Sequence, residues 1–73
     1  MPKLSIFSGS EICSILEAEG FRQVRQRGSH VVMQRQTPTG TTTVPVPNHR
    51  EVRIWTLQAI IRQSCVSKEK FMR

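Results

Sequence analysis

Residues 21–47 read FRQVRQRGSHVVMQRQTPTGTTTVPVP, and this stretch decides the fold. It holds three segments suited to strands, separated by two turn signals. Residues 21–27 are polar and short, with no helix cap, and read as a strand with one wet, basic face. Gly28-Ser29 is a tight-turn signal. His30 to Gln36 is rich in β-branched and long apolar residues. Alternation puts His30, Val32 and Gln34 on one face and Val31, Met33 and Arg35 on the other. Thr37-Pro38-Thr39-Gly40 is a second turn. Thr41 to Val46 is Thr-rich and β-branched, as a third strand should be. Pro45 and Pro47 have no N–H to give a ladder, so this strand ends there or lies at an edge.

Helical signals flank the stretch. Ser8 and Glu11 have the spacing of a capping box, and Ile12, Ile15 and Leu16 follow at helical spacing. Gly20 supplies the stop, because a left-handed residue costs glycine little. The first helix is therefore expected over about residues 9–19, with Phe21 folding back onto it. Asn48 to Arg53 reads as a polar connection. Thr56 is the expected N-cap of a second helix whose buried side carries Leu57, Ile60 and Ile61. Trp55 and Ile60 would then occupy the positions of a hydrophobic staple. Ser67 is expected to cap a last short turn that docks Phe71. No repeat or linker interrupts the chain. The predicted class is α+β, in the order α-β-β-β-α. Two helices cover one face of a three-stranded antiparallel sheet, in a single domain over residues 1–73.

A chain of 73 residues is one domain. At this size only roughly 60% of the unfolded surface is buried. That leaves no room for a deep pocket beside a cofactor-binding lobe. An enzyme of this size works from its surface, on a large substrate that brings its own binding energy. Eleven Lys and Arg stand against five Asp and Glu. Eight of the eleven are Arg, whose planar fork matches phosphate oxygens. Residues 1–20 hold Lys3 against Glu11, Glu17 and Glu19. All other basic residues lie beyond, against Glu51 and Glu69 alone. This imbalance points to a polyanion, and nucleic acid above all. Cys13 and Cys65 have no C-x-x-C spacing and no metal-ligand spacing with His30 or His49, so reduced cysteines and no metal site are expected. The longest apolar runs, Val31-Val32-Met33 and Ala59-Ile60-Ile61, are too short for a membrane span. No secretion signal is read, and a cytoplasmic location is expected.

At Gly28-Ser29-His30 and the strand Val31-Val32-Met33, the sequence resembles the HicA family of bacterial toxin–antitoxin systems. The resemblance extends over nearly the whole chain. It includes Met1-Pro2-Lys3-Leu4, Ser8-Gly9, Leu16, Gly20-Phe21 and Arg25-Gln26. It continues through Val44-Pro45-Val46-Pro47, His49, Glu51, Thr56-Leu57, Ile60-Ile61-Arg62-Gln63 and Phe71. It implies a fold like that of double-stranded RNA-binding domains and a metal-independent, ribosome-independent mRNA endoribonuclease without a cofactor. It also implies a HicB antitoxin partner that masks the active site, and a catalytic role for His30. Two positions depart from the family pattern. Trp55 and Cys65 stand where many members have glycine. A left-handed backbone at either would cost a residue with a Cβ roughly 1–2 kcal/mol.

RNA cleavage without a metal needs little apparatus. The substrate's 2′-OH is the nucleophile, a side chain takes its proton, and cations stabilise the charge built up on phosphate. Histidine suits the proton transfer because it changes protonation near neutrality. His30 is the candidate catalytic residue, next to a glycine that permits close backbone approach. Arg25, Arg27, Ser29 and Arg35 are the candidate RNA contacts. His49 is a possible second histidine of the mechanism, or a loop residue bonded to backbone near Pro47. Trp55 is a staple, an antitoxin anchor or a base-stacking platform. Two other functions stay open on the same fold: a non-catalytic RNA-binding module, and a decayed toxin that only titrates its antitoxin.

Overall fold

The computed structural model describes residues 6–72. Of the stretches that carry the resemblance, Met1-Pro2-Lys3-Leu4 lies outside the described residues. Helix α1 spans Gly9–Ala18. Its start is the capping box expected from sequence. The Ser8 hydroxyl accepts from the Glu11 N–H at 3.1 Å, and the Glu11 carboxylate accepts from the Ser8 N–H at 2.9 Å. Its end is a Schellman motif, in which Gly20 takes φ +94°. The Gly20 N–H donates to Glu17 O at 3.1 Å and the Phe21 N–H to Leu16 O at 3.0 Å, so two orphan carbonyls are satisfied at once. The turn also throws Phe21 into the core.

Strands β1 (Arg22–Arg27), β2 (His30–Thr37) and β3 (Gly40–Pro47) form one antiparallel sheet in the order β1-β2-β3. Gly28, at φ +58°, makes the first turn. Both prolines of β3 lie within the strand, and β3 is an edge. The Asn48 N–H donates to Ser29 O at 2.6 Å just past the strand end. Residues 44, 46 and 48 thus face β2 with their bonding groups, while Pro45 and Pro47 sit where an N–H would point outward.

Val31, Met33, Val44 and Val46 are buried on one sheet face. They pack with Ile12 and Leu16 of α1 and with Leu57 and Ile60 of the second helix. Phe7 and Phe71 meet edge to face at 6.4 Å, and Phe71 is fully buried. Ser67 caps the closing 3-10 turn, Lys68–Phe71, by accepting from the Glu69 N–H, as expected. Among the described residues no helix is long and apolar enough to cross a membrane.

Helix α2 departs from expectation at its start. It spans Ile54–Ser64, with Arg53 as N-cap and no side-chain cap bond. Thr56 lies inside the first turn rather than before it. A tertiary contact sets this boundary: Val52 bridges Phe7, with the Val52 N–H donating to Phe7 O at 2.8 Å, and the helix begins directly afterwards. The staple positions shift with it, to buried Val52 and Leu57. Trp55, expected to staple against Ile60, is 61% exposed instead, with the Arg53 guanidinium 5.3 Å from its ring centre. Trp55 has no need of glycine's freedom, since it is helical. Cys65 does have the left-handed backbone, at φ 61° and ψ 19°.

Candidate nucleic-acid interface

The sheet face away from the helices is open. Strand register arranges its side chains in three rows across the sheet. Arg27, His30 and Pro47 form the first, Arg25, Val32 and Pro45 the second, and Arg22, Gln34 and Thr43 the third. Directly opposed residues on adjacent strands have Cβ atoms about 4.5–5.5 Å apart, so His30 sits beside Arg27. His30, Arg25 and Arg27 are all exposed. They line one part of a shallow depression of about 520 Å³, whose remaining lining is Val24, Val32 and Pro45, then Gln34 and Thr43.

A β-bulge makes this arrangement possible. Pairing slips between Gln23 and Arg25, so Val24 has no partner on β2. Simple alternation would put Arg22 on the opposite face from Arg25 and Arg27. The extra residue reverses the parity, and all three arginines line up on the open face. The bulge also brings Val24, 38% exposed, into the depression beside Arg25. From the sequence Arg22 is a weaker candidate than Arg25 and Arg27, because it stands close to the helix end. The segment RQVRQR has no hydrophobic pattern from which a bulge can be read.

The turn that carries His30 is braced from behind. Ser29 is exposed, and its carbonyl accepts from the Asn48 N–H. One residue past Asn48, the His49 carbonyl accepts from the Gly9 N–H at 2.8 Å. The N-terminus of α1 thereby holds the 47–49 segment against the turn. Contact there is so close that a Cβ on Gly9 would overlap the Pro47 carbonyl oxygen and come within 2.9 Å of Asn48 Cα. His49 itself is exposed and does not line the depression with His30.

Arg35, grouped with Arg25 and Arg27 as an RNA contact, stands apart from them. Its side chain is on the helix side of the sheet, as strand alternation requires. Nη1 donates to Glu19 O at 3.0 Å and Nη2 to Ser64 O at 3.2 Å, and the guanidinium lies 4.7 Å from the centre of the Phe21 ring. These carbonyls close the C-terminal ends of α1 and α2, where partial negative charge collects. Arg35 thus ties both helix ends to the sheet and is not free to meet a phosphate on the open face.

Among the described residues no group of three or more His, Cys, Asp or Glu side chains is placed to hold a metal ion. Cys13 is partly buried and Cys65 exposed, and both are free thiols. Burial, with a smaller contribution from Glu17, pushes the Cys13 thiol above its ordinary pKa. No curated protein and no solved structure matches the chain. The family described as HicA toxin of bacterial toxin–antitoxin matches residues 9–65, a span that contains the whole sheet, the His30 turn and both helices. The chain belongs to the HicA toxin family of bacterial toxin–antitoxin systems.

Proposed function

We propose that the chain is an endoribonuclease toxin. It cleaves mRNA without a ribosome or metal ion, uses His30 as general acid or base, and is held in check by a HicB-like antitoxin that masks the site. One observation carries the reading: His30 is exposed at the end of the open, basic face, directly across the ladder from Arg27. A cytoplasmic location follows from the proposed substrate.

The chemistry needs one proton acceptor and a place for charge. The His30 imidazole takes the proton of a ribose 2′-OH, and the 2′-oxygen attacks the adjacent phosphorus. Negative charge builds on the non-bridging oxygens, where the Arg27 and Arg25 guanidiniums stabilise it. The bond to the 5′-oxygen breaks, that oxygen takes a proton from water, and the protonated His30 returns its own proton to solvent. The products are a 2′,3′-cyclic phosphate and a 5′-hydroxyl end. One positioned acid–base group is worth roughly 10²–10⁴-fold in rate. His49 is the less favoured second histidine, since it lies outside the depression.

The test compares wild type with His30→Ala on a labelled mRNA, with and without a chelator. The variant is expected to keep its fold and its RNA binding and to lose about 10²-fold or more in cleavage. Chelation should leave the wild-type rate unchanged. Cleavage by His30→Ala at the wild-type rate would refute the assignment. A wild-type protein that binds RNA and never cuts it would make the chain an RNA-binding module instead. Expression in a bacterium with and without the antitoxin separates an active toxin from a decayed one, which would be harmless alone.

A further inference from the structure

The open face has an internal order that the proposed chemistry alone does not need. Along β1 the arginines at 27, 25 and 22 form a column, aligned by the bulge at Val24. Paired steps on a strand advance about 6.6 Å per two residues, so the column offers cations at a spacing comparable with successive phosphates of an extended strand. The guanidiniums of Arg25 and Arg27 have no hydrogen-bond or ion-pair partner among the described residues. Beside the column lies an apolar floor of Val24, Val32 and Pro45, with Pro47 the other apolar residue in the rows of that face. Beyond the floor, Gln34 Nε2 donates to Thr43 Oγ1 at 3.2 Å. That bond orients the Gln34 amide and leaves its carbonyl oxygen and second hydrogen for a ligand.

We propose that this face is a track for single-stranded RNA. Phosphates follow the arginine column, one unpaired base lies on the Val24–Val32–Pro45 floor, and Gln34 with Thr43 reads the edge of that base. The proposal rests on RNA being the substrate, and it names the form of that RNA. A duplex does not fit, because its bases are stacked on each other and its deep major groove hides their edges. A splayed single strand presents both a base face and a base edge to a sheet. His30 and Gln34 are four residues apart on β2, about 13 Å along the strand, so phosphate chemistry at one end and base recognition at the other are two phosphate steps of the column apart.

The test measures binding of short oligonucleotides carrying 2′-O-methyl ribose, which removes the nucleophile and so separates binding from cleavage. Four versions differ at one central base, a fifth is abasic there, and a sixth is the duplex. Wild type is expected to bind the base-bearing single strands about tenfold more tightly than the abasic one, and more tightly than the duplex. Val24→Asp should shrink the abasic difference. Thr43→Val and Gln34→Leu should instead level the four bases. Arg22→Ala should flatten the log–log salt dependence by about 0.7, one single-strand phosphate contact. Equal binding of abasic and base-bearing strands, or of duplex and single strand, would overturn the proposal even if the protein cleaves RNA. Base-dependent binding by a protein that never cleaves would uphold the track and refute the catalytic role of His30. Thr43 is exposed, so Thr43→Val tests the edge contact without disturbing the fold.

Discussion

Replacing Cys65 by glycine is expected to stabilise the protein. Cys65 has φ 61° and ψ 19°. Its neighbours are anchored on both sides. Ser64 is fully buried, its hydroxyl donating to Ile61 O at 3.1 Å and accepting from the Val66 N–H at 3.2 Å, and Val66 must re-enter the core at once. A left-handed backbone costs a residue with a Cβ roughly 1–2 kcal/mol. Glycine removes that cost but loses about 0.5–1 kcal/mol more chain entropy on folding. The Cys65 thiol returns little, being 3.9 Å from Arg62 O. The net gain at the middle of these ranges is about 0.75 kcal/mol, or a rise in Tm of about 3–6 °C for a domain of this size. Thermal denaturation under reducing conditions, followed by circular dichroism, measures it. Cys65→Ala is the control, since it removes the thiol and keeps the Cβ, and it should melt close to wild type. If Cys65→Gly melts no higher than Cys65→Ala, backbone strain at this position is not what limits stability.

Arg35→Met should lower stability by about 2–3 kcal/mol in a denaturant titration, because it removes charged hydrogen bonds from two helix-end carbonyls. Cleavage per folded molecule should persist, and its loss would return Arg35 to the RNA site. Gly9→Ala should cost about 1–3 kcal/mol through backbone overlap and shift the amide resonances of Asn48 and His49, whereas unchanged spectra would contradict the close approach. Alkylation at pH 8 should modify Cys65 well before Cys13, whose raised pKa keeps more of it as thiol. The same shift makes the folded state hold the Cys13 proton more tightly. Its contribution to stability is therefore constant below the unfolded thiol pKa of about 8.5 and declines as pH rises through the folded value. Equal labelling rates for the two thiols would refute the burial argument.

Features governed by a few neighbouring residues were legible in the sequence. Ser8 and Glu11 announce α1 because a capping box is a local device, and Gly20 ends it because only one residue there must turn left. The alternation of β2 separated His30 from Arg35 by face, although it could not say what Arg35 would bond. Features set by distant contacts were not legible. The start of α2 depends on Val52 meeting Phe7, far away in the chain, so Thr56 looked like a cap that the structure does not use. The bulge at Val24 falls in a strand exposed at every position, where no burial pattern exists to reveal a slip in register. Arg22 ranked below Arg25 and Arg27 because it stands close to the helix end, and the bulge that aligns it with them could not be read.

The prolines of β3 have a consequence for assembly. An open three-stranded sheet has two free edges, and a free edge is a template for another chain's strand. On β3 the outward positions 45 and 47 carry no N–H, so an incoming strand finds no donors along that half of the edge. On β1 the bulge distorts the opposite edge and arginines crowd it. Neither border favours strand addition, and a net charge of +6 further opposes the approach of a second copy. A thin, marginally stable domain can thus leave one whole face of its sheet bare without recruiting its own kind, and the bare face stays available to a polyanion.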